Sequence, residues 1–179
     1  MAWEEDLFAL FDDLEDQAAA AYARDRETEW VDRSRAEYAE VAFAARLMAS
    51  VGGVVTVEVR GVGPLHGTLE RVASGWFLLS AGPVDWMVRE GAVGSVLGAS
   101  ERGVPLVAWP AVARLGLGSA LRRLAETGER CLVHRVDGQC HDGVVRRVGR
   151  DFLELLTHEG ARLVLVPFDA VAAVRSRPI

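Results

Sequence analysis

Residues 131–174, reading CLVHRVDGQCHDGVVRRVGRDFLELLTHEGARLVLVPFDAVAAV, hold the densest run of strand signals in the chain. Successive side chains of a strand leave opposite faces, so Cys131, Val133 and Arg135 point one way and Leu132, His134 and Val136 the other. Asp137-Gly138 is a dipeptide that takes the positive φ of a tight hairpin turn. Gly143 falls inside the second strand, where glycine marks a bulge or sharp bend. Phe152 to Leu156 supplies a third strand, Leu163 to Val166 a fourth and Ala170 to Val174 a fifth. Five short, bent strands in so little chain predict a small β-barrel.

The same pattern occurs once before. In residues 54–96, Val57, Gly67, Arg71, Val72 and Trp76 stand 76 positions ahead of Val133, Gly143, Arg147, Val148 and Phe152. Past the third strand the offset is 78, aligning Val88, Val93 and Val96 with Val166, Val171 and Val174. Turn, bend and core positions recur together, which predicts an internal duplication.

The 179 residues suffice for one or two domains with ordinary cores. No apolar run reaches the length of a membrane span, and Met1-Ala2-Trp3 leads into Glu4, Glu5 and Asp6 rather than a secretory leader. With two cysteines and no disulfide framework, these features predict a cytoplasmic protein. All 20 basic residues are arginine, as a GC-rich codon bias would produce. Net charge is −6 and unevenly spread: residues 1–50 carry 13 acids against 5 arginines, whereas the remainder is nearly balanced. Phosphate binding draws on clustered cations, so this distribution argues against a general nucleic-acid surface.

Residues 3–49 lack Gly and Pro and are rich in Ala, Glu, Leu and Arg, which predicts an acidic helical arm of one bent helix or two. Trp3, Leu7, Phe8, Leu10, Phe11 and Leu14 form an apolar face near its start, a candidate docking surface for a protein partner or a second copy. The later stretch Trp30 to Met48 is expected to pack on the first barrel through Tyr38, Val41, Phe43, Leu47 and Met48. Between the repeats, Trp109-Pro110 opens a predicted connector helix that buries Val112, Leu115, Leu121 and Leu124 and stops at Gly128.

Candidate chemistry is sparse. Cys131, His134, Cys140 and His141 resemble metal ligands by type, but strand alternation sends Cys131 and His134, and likewise Cys140 and His141, to opposite faces. No serine sits in a G-x-S-x-G elbow. The carboxylates of the repeats fall at turns and strand exteriors, without a paired acid and base. Gly116-Leu117-Gly118 lacks the remaining glycines and the βαβ context of a phosphate loop. These readings predict a non-enzyme with no cofactor and no metal. Trp76 and Trp86 are expected in the core or at its rim. Arg146, Arg147 and Arg150 are the candidate contacts should the second repeat bind nucleic acid.

The spacing of Gly138, Gly143, Val148 and Phe152-Leu153 resembles the Sm-like and Hfq-like small barrels, and Gly67, Val72 and Trp76-Phe77 are similar. In that family single-stranded RNA is bound by an Asp and Asn after the second strand and an Arg-Gly pair near the last. Here the loops are Ala73-Ser74-Gly75 and Gly149-Arg150-Asp151, without Asn, and neither Val88-Arg89-Glu90-Gly91 nor Val166-Pro167-Phe168-Asp169 keeps the pair intact. The RNA site is therefore not carried over. Over most of its length the chain also resembles a family of uncharacterised actinobacterial proteins, through its acidic start, the 115–121 connector and Val166-Pro167-Phe168. The expected architecture is α+β: a helical arm (1–50), a five-stranded SH3/Sm-like barrel (51–98), a connector with a helix (99–128) and a second such barrel (129–179). The expected role is a non-catalytic interaction or adaptor protein, with self-association as a homodimer open to it. An RNA- or DNA-binding regulator is the alternative.

Overall fold

A computed structural model describes Gln17, Arg35, Ala36 and residues 38–176. Residues 1–41 and residues from 42 onward form separate compact units; the sheet described next belongs to the second. The apolar face Trp3, Leu7, Phe8, Leu10, Phe11 and Leu14 lies outside the described residues. Over the described part of the stretch leading to Met48 the helix is interrupted. Val41 and Ala42 are non-helical, with Ala42 extended at φ −70°, ψ 149°, and only a six-residue helix α1 (Phe43–Met48) follows. It anchors through Leu47, which is fully buried.

Ten strands follow: β1 (Val54–Val59), β2 (Gly63–Ala73), β3 (Trp76–Ala81), β4 (Val84–Arg89) and β5 (Val93–Leu97), then β6 (Arg130–Arg135), β7 (Cys140–Val148), β8 (Phe152–Thr157), β9 (Leu163–Pro167) and β10 (Val171–Ser176). They form one open antiparallel sheet in the order β5-β1-β2-β3-β4-β10-β6-β7-β8-β9. This overturns the expectation of two closed five-stranded barrels joined by a helix, and with it the duplicated barrels behind a helical arm. Strand positions come out close to those expected, but β4 and β10 pair with each other, Ala173 opposite Val88, Val174 opposite Met87 and Arg175 opposite Trp86. Alternation reveals which side chains face a core. It carries no information on which unpaired edge a strand will find, and here each half meets the other's edge.

The junction is also apolar. The first hydrophobic cluster, around Phe77, Leu79 and Val57, takes in Ala172 and Ala173 from β10. The second, around Leu153, Leu155 and Val133, is joined by Trp76 and Met87 from the first half. Parting the halves would expose Val88 and Val174, now 0% and 3% accessible, at about 1.5–3 kcal/mol each. Arg89 adds a clasp, its Nε donating to the Val171 carbonyl at 2.7 Å and its Nη2 to the Asp169 carbonyl at 2.9 Å.

Each half nevertheless has its strands in the same order, first-strand neighbours included. β2 shifts register between Leu69 and Arg71, and β7 between Val145 and Arg147. Gly67 and Gly143 precede these bulges at places where a Cβ would overlap the Ser80 and Leu156 carbonyl oxygens of the facing strands. A glycine is required there by close backbone approach.

The connector departs from the expected single helix. Pro110 starts only a 3-10 turn, Ala111–Arg114, and Leu115 is extended before helix α2 (Leu117–Thr127) begins. Gly128 ends it in the left-handed conformation at φ 67°, as the sequence implies. Its buried face is Leu117 and Leu121, with Leu124 packed beside them. Val112 and Leu115 stay about half exposed. No helix among the described residues is long and apolar enough to cross a membrane.

Candidate functional site

A ten-stranded open sheet has two outer strands, and their make-up is the most distinctive surface feature. Among the described residues β5 pairs only with β1, and β9 only with β8. Neither holds a charged residue: β5 is Val-Gly-Ser-Val-Leu and β9 is Leu-Val-Leu-Val-Pro. Leu97 is 70% exposed, Leu163 56% and Leu165 61%. Edge strands present unpaired N–H and C=O groups, and stable monomers blunt them with lysine, proline, bulges or a covering segment. Here the blunting is slight. Pro167 stands at the last position of β9, and one irregularity lies between Glu58 and Val59 where β1 meets β5.

Beside β5 opens a cleft of about 530 Å³, bordered by Val93, Gly94, Ser95, Arg89, Glu90 and Phe168. Burial raises the Glu90 carboxyl above its ordinary value. The Arg89 guanidinium is occupied by the Val171 and Asp169 carbonyls and lies 3.7 Å from the Asp169 carboxylate. Glu90 is the one carboxylate among the residues bordering the cleft, beside the hydroxyls of Ser74 and Ser95.

Within each of β6 and β7 the cysteine and the histidine separate as strand geometry requires, while cross-strand pairing brings His134 and Cys140 together. Cys131 is buried in the second cluster, and burial pushes its thiol up to about 12. His134 leaves the other face and packs its ring 5.2 Å from that of Trp86. Cross-strand pairing sets His134 opposite Cys140, with Nε2 and Sγ 3.9 Å apart. Burial, followed by the charge of Arg175, lowers the His134 pKa. The Cys140 thiol is raised, chiefly by burial and then by the Asp142 carboxylate, which keeps it protonated. Among the described residues no group of three or more His, Cys, Asp or Glu is arranged to hold a metal. Asp142 accepts two bonds from Arg130, from Nε at 2.7 Å and Nη2 at 2.8 Å.

Arg146, Arg147 and Arg150 are all exposed. Adjacent residues on a regular strand diverge, yet the β7 register shift skips Arg146, so both neighbours reach solvent around the bulge. Arg147 is partnered by Glu154 at 3.2 Å. The residues that sequence reasoning did not single out are Leu97, Leu163 and Leu165. Their signal was two strands with no charge at all, which marks a site only once those strands are known to be the outer ones.

No protein-family model and no curated protein matches the chain, so the likeness to Sm-like and actinobacterial families rests on the sequence pattern alone.

Proposed function

We propose that this chain is a non-catalytic, cytoplasmic interaction protein that holds its partner by adding strands to the ends of its sheet. The observation that carries the reading is the pair of uncharged, leucine-bearing strands, β5 and β9, that stand at the two ends of the sheet order with no further strand beside them among the described residues. Strand addition supplies affinity through main-chain hydrogen bonds and selectivity through alternate side chains. Leu97 and Leu165 are placed to provide the second. The test is quantitative capture from the native host with the tagged full chain, compared with Leu97→Lys and Leu165→Lys. Partners held through an edge are depleted by the matching substitution, and hydrogen exchange on the captured complex slows at the amides of that edge. A capture profile indifferent to both substitutions overturns the reading.

A second reading, single-stranded nucleic acid bound by Arg146, Arg147 and Arg150, is favoured by one feature, the exposure of all three, two of them at the β7 bulge and Arg150 in the bend that follows. Glu154 beside Arg147 and the overall charge of −6 weigh against it. Filter binding across a salt series decides: a steep loss of affinity with salt supports this reading, and no retention at low salt rejects it.

A further inference from the structure

Strand alternation parts the cysteine from the histidine within β6 and within β7, but it leaves one cross-strand pair on a common face. His134 stands opposite Cys140, and directly opposed residues of antiparallel strands carry their side chains to the same side. The imidazole Nε2 and the thiol Sγ are 3.9 Å apart, too far for a strong hydrogen bond. We propose that His134 and Cys140 together bind one soft monovalent metal ion of the Cu(I) kind, as a two-coordinate nitrogen–sulfur site. The pair lies on inner strands of the sheet, so it stands apart from β5, β9 and whatever they hold.

Geometry and donor type select the ion. Metal bonds of about 2.3 Å to sulfur and about 2.0 Å to nitrogen, drawn across the 3.9 Å separation, enclose an angle of about 130°. That is wider than the tetrahedral angle of structural zinc sites, and parting the two atoms by about 0.4 Å would make it linear. Among the described residues no group of three or more His, Cys, Asp or Glu is arranged to hold a metal. An ion that demands four ligands is therefore poorly served, whereas a filled-shell monovalent ion accepts two. Thiolate selects soft ions such as Cu(I), and imidazole suits copper as well.

Charge presses the same choice. The Arg175 guanidinium lies 5.6 Å from the centroid of the Trp86 ring, and its charge is felt at both His134 and Cys140. The Asp142 carboxylate, also felt at Cys140, is itself held by Arg130. On binding, Cys140 gives its proton to solvent, a sulfur–metal bond takes its place, and the His134 Nε2 lone pair makes the second bond. Thiolate and monovalent ion cancel, so no net charge is added beside Arg175, whereas a divalent ion leaves one positive charge there. The donors are also held in advance. The His134 ring packs on buried Trp86 at 5.2 Å between centroids. Beside the pair the hairpin is closed by Arg135 N–H donating to the Gln139 carbonyl at 2.8 Å, and Gln139 N–H to Asp137 Oδ1 at 3.1 Å. Donors on strands are placed more tightly than donors on loops.

The experiment titrates the full reduced chain with Cu(I) against a chromogenic Cu(I) chelator, without oxygen or added thiol, and repeats the binding with redox-inert Ag(I). Native mass spectrometry is expected to show one ion on one chain, and X-ray absorption one sulfur and one nitrogen as its near neighbours. Cys140→Ser should abolish binding, and His134→Gln should weaken it by more than the about 10–100-fold that loss of an outer-shell partner costs. His158→Gln, at an exposed histidine elsewhere, should leave it unchanged. Circular dichroism and thermal melts establish that each variant is folded; should either ligand variant unfold, X-ray absorption on the parent decides alone. Absence of binding overturns the proposal, as does binding that survives Cys140→Ser. Loss within or below that range in His134→Gln, or a sulfur-only spectrum, reports capture by a lone thiol and overturns it equally. So does an ion shared between two chains, or displacement of Cu(I) by an equal concentration of Zn(II), which would require more ligands than the pair supplies.

Discussion

Gly143→Ala tests whether β7 and β8 approach as closely as the sheet requires. A Cβ at Gly143 would overlap the Leu156 carbonyl oxygen and stand 2.9 Å from its carbon and 3.0 Å from Thr157 Cα. All three are backbone atoms of β8, so no side chain can swing aside, and ordinary contact at about 3.5–4.0 Å demands that the strand shift. The shift falls on the Gly143–Thr157 and Val144–Leu156 pairs. Compromising two buried ladder bonds costs about 1–3 kcal/mol each, partly offset by about 0.4–1 kcal/mol from the stiffer unfolded chain. The net expectation is a loss of about 3 kcal/mol, or about 6–12 °C in melting temperature for a chain of this length. Gly138→Ala is the control. Gly138 has φ +85°, and a methyl placed there would meet nothing within 4 Å, so it bears only the left-handed strain of about 1–2 kcal/mol. Urea denaturation of both variants gives the comparison. Gly143→Ala no more destabilised than Gly138→Ala would refute the argument from strand proximity.

Three further outcomes are expected. Leu121→Ala, in the buried face of α2, should lower stability by about 2–5 kcal/mol, whereas Val112→Ala, half exposed before the helix, should stay within about 0.5 kcal/mol; chemical denaturation distinguishes them. With its pKa held below the ordinary 6.5, His134 takes up a proton less readily folded than unfolded, so its contribution is intact above that value and declines as pH falls below it. Denaturation midpoints between pH 7 and about 5.5 should therefore fall less in His134→Gln than in the parent. Thiol alkylation of the folded chain should modify Cys140 alone and faster at alkaline pH, with Cys131 reacting only after denaturation, as mass spectrometry of the labelled peptides would show.

Much of the strand pattern was legible in the chain itself. Alternation around Val133, Leu153 and Leu155 announced buried positions, Asp137-Gly138 announced the turn, and Gly67 and Gly143 announced the bulged strands, because each signal depends on residues only a few positions apart. Helix limits were less legible. Trp109-Pro110 carries a sound start signal, but Leu115 is drawn into an extended conformation before α2, and the Trp76 indole donates to its carbonyl at 3.0 Å. That partner lies 39 residues away, beyond any local pattern.

The order of the two halves, and hence the candidate site, was decided only in three dimensions. Val88 reads as a core residue whichever strand lies beside it, since its burial needs an apolar neighbour and not a particular one. Its backbone groups needed a specific edge, and β10 supplied it in preference to closure of either half on itself. Once that pairing formed, β5 and β9 became the outermost strands, and Leu97, Leu163 and Leu165 turned from ordinary strand residues into exposed ones. Side-chain character along a strand is a local property of sequence; which hydrogen-bonding edge is left without a neighbour is a property of the whole sheet.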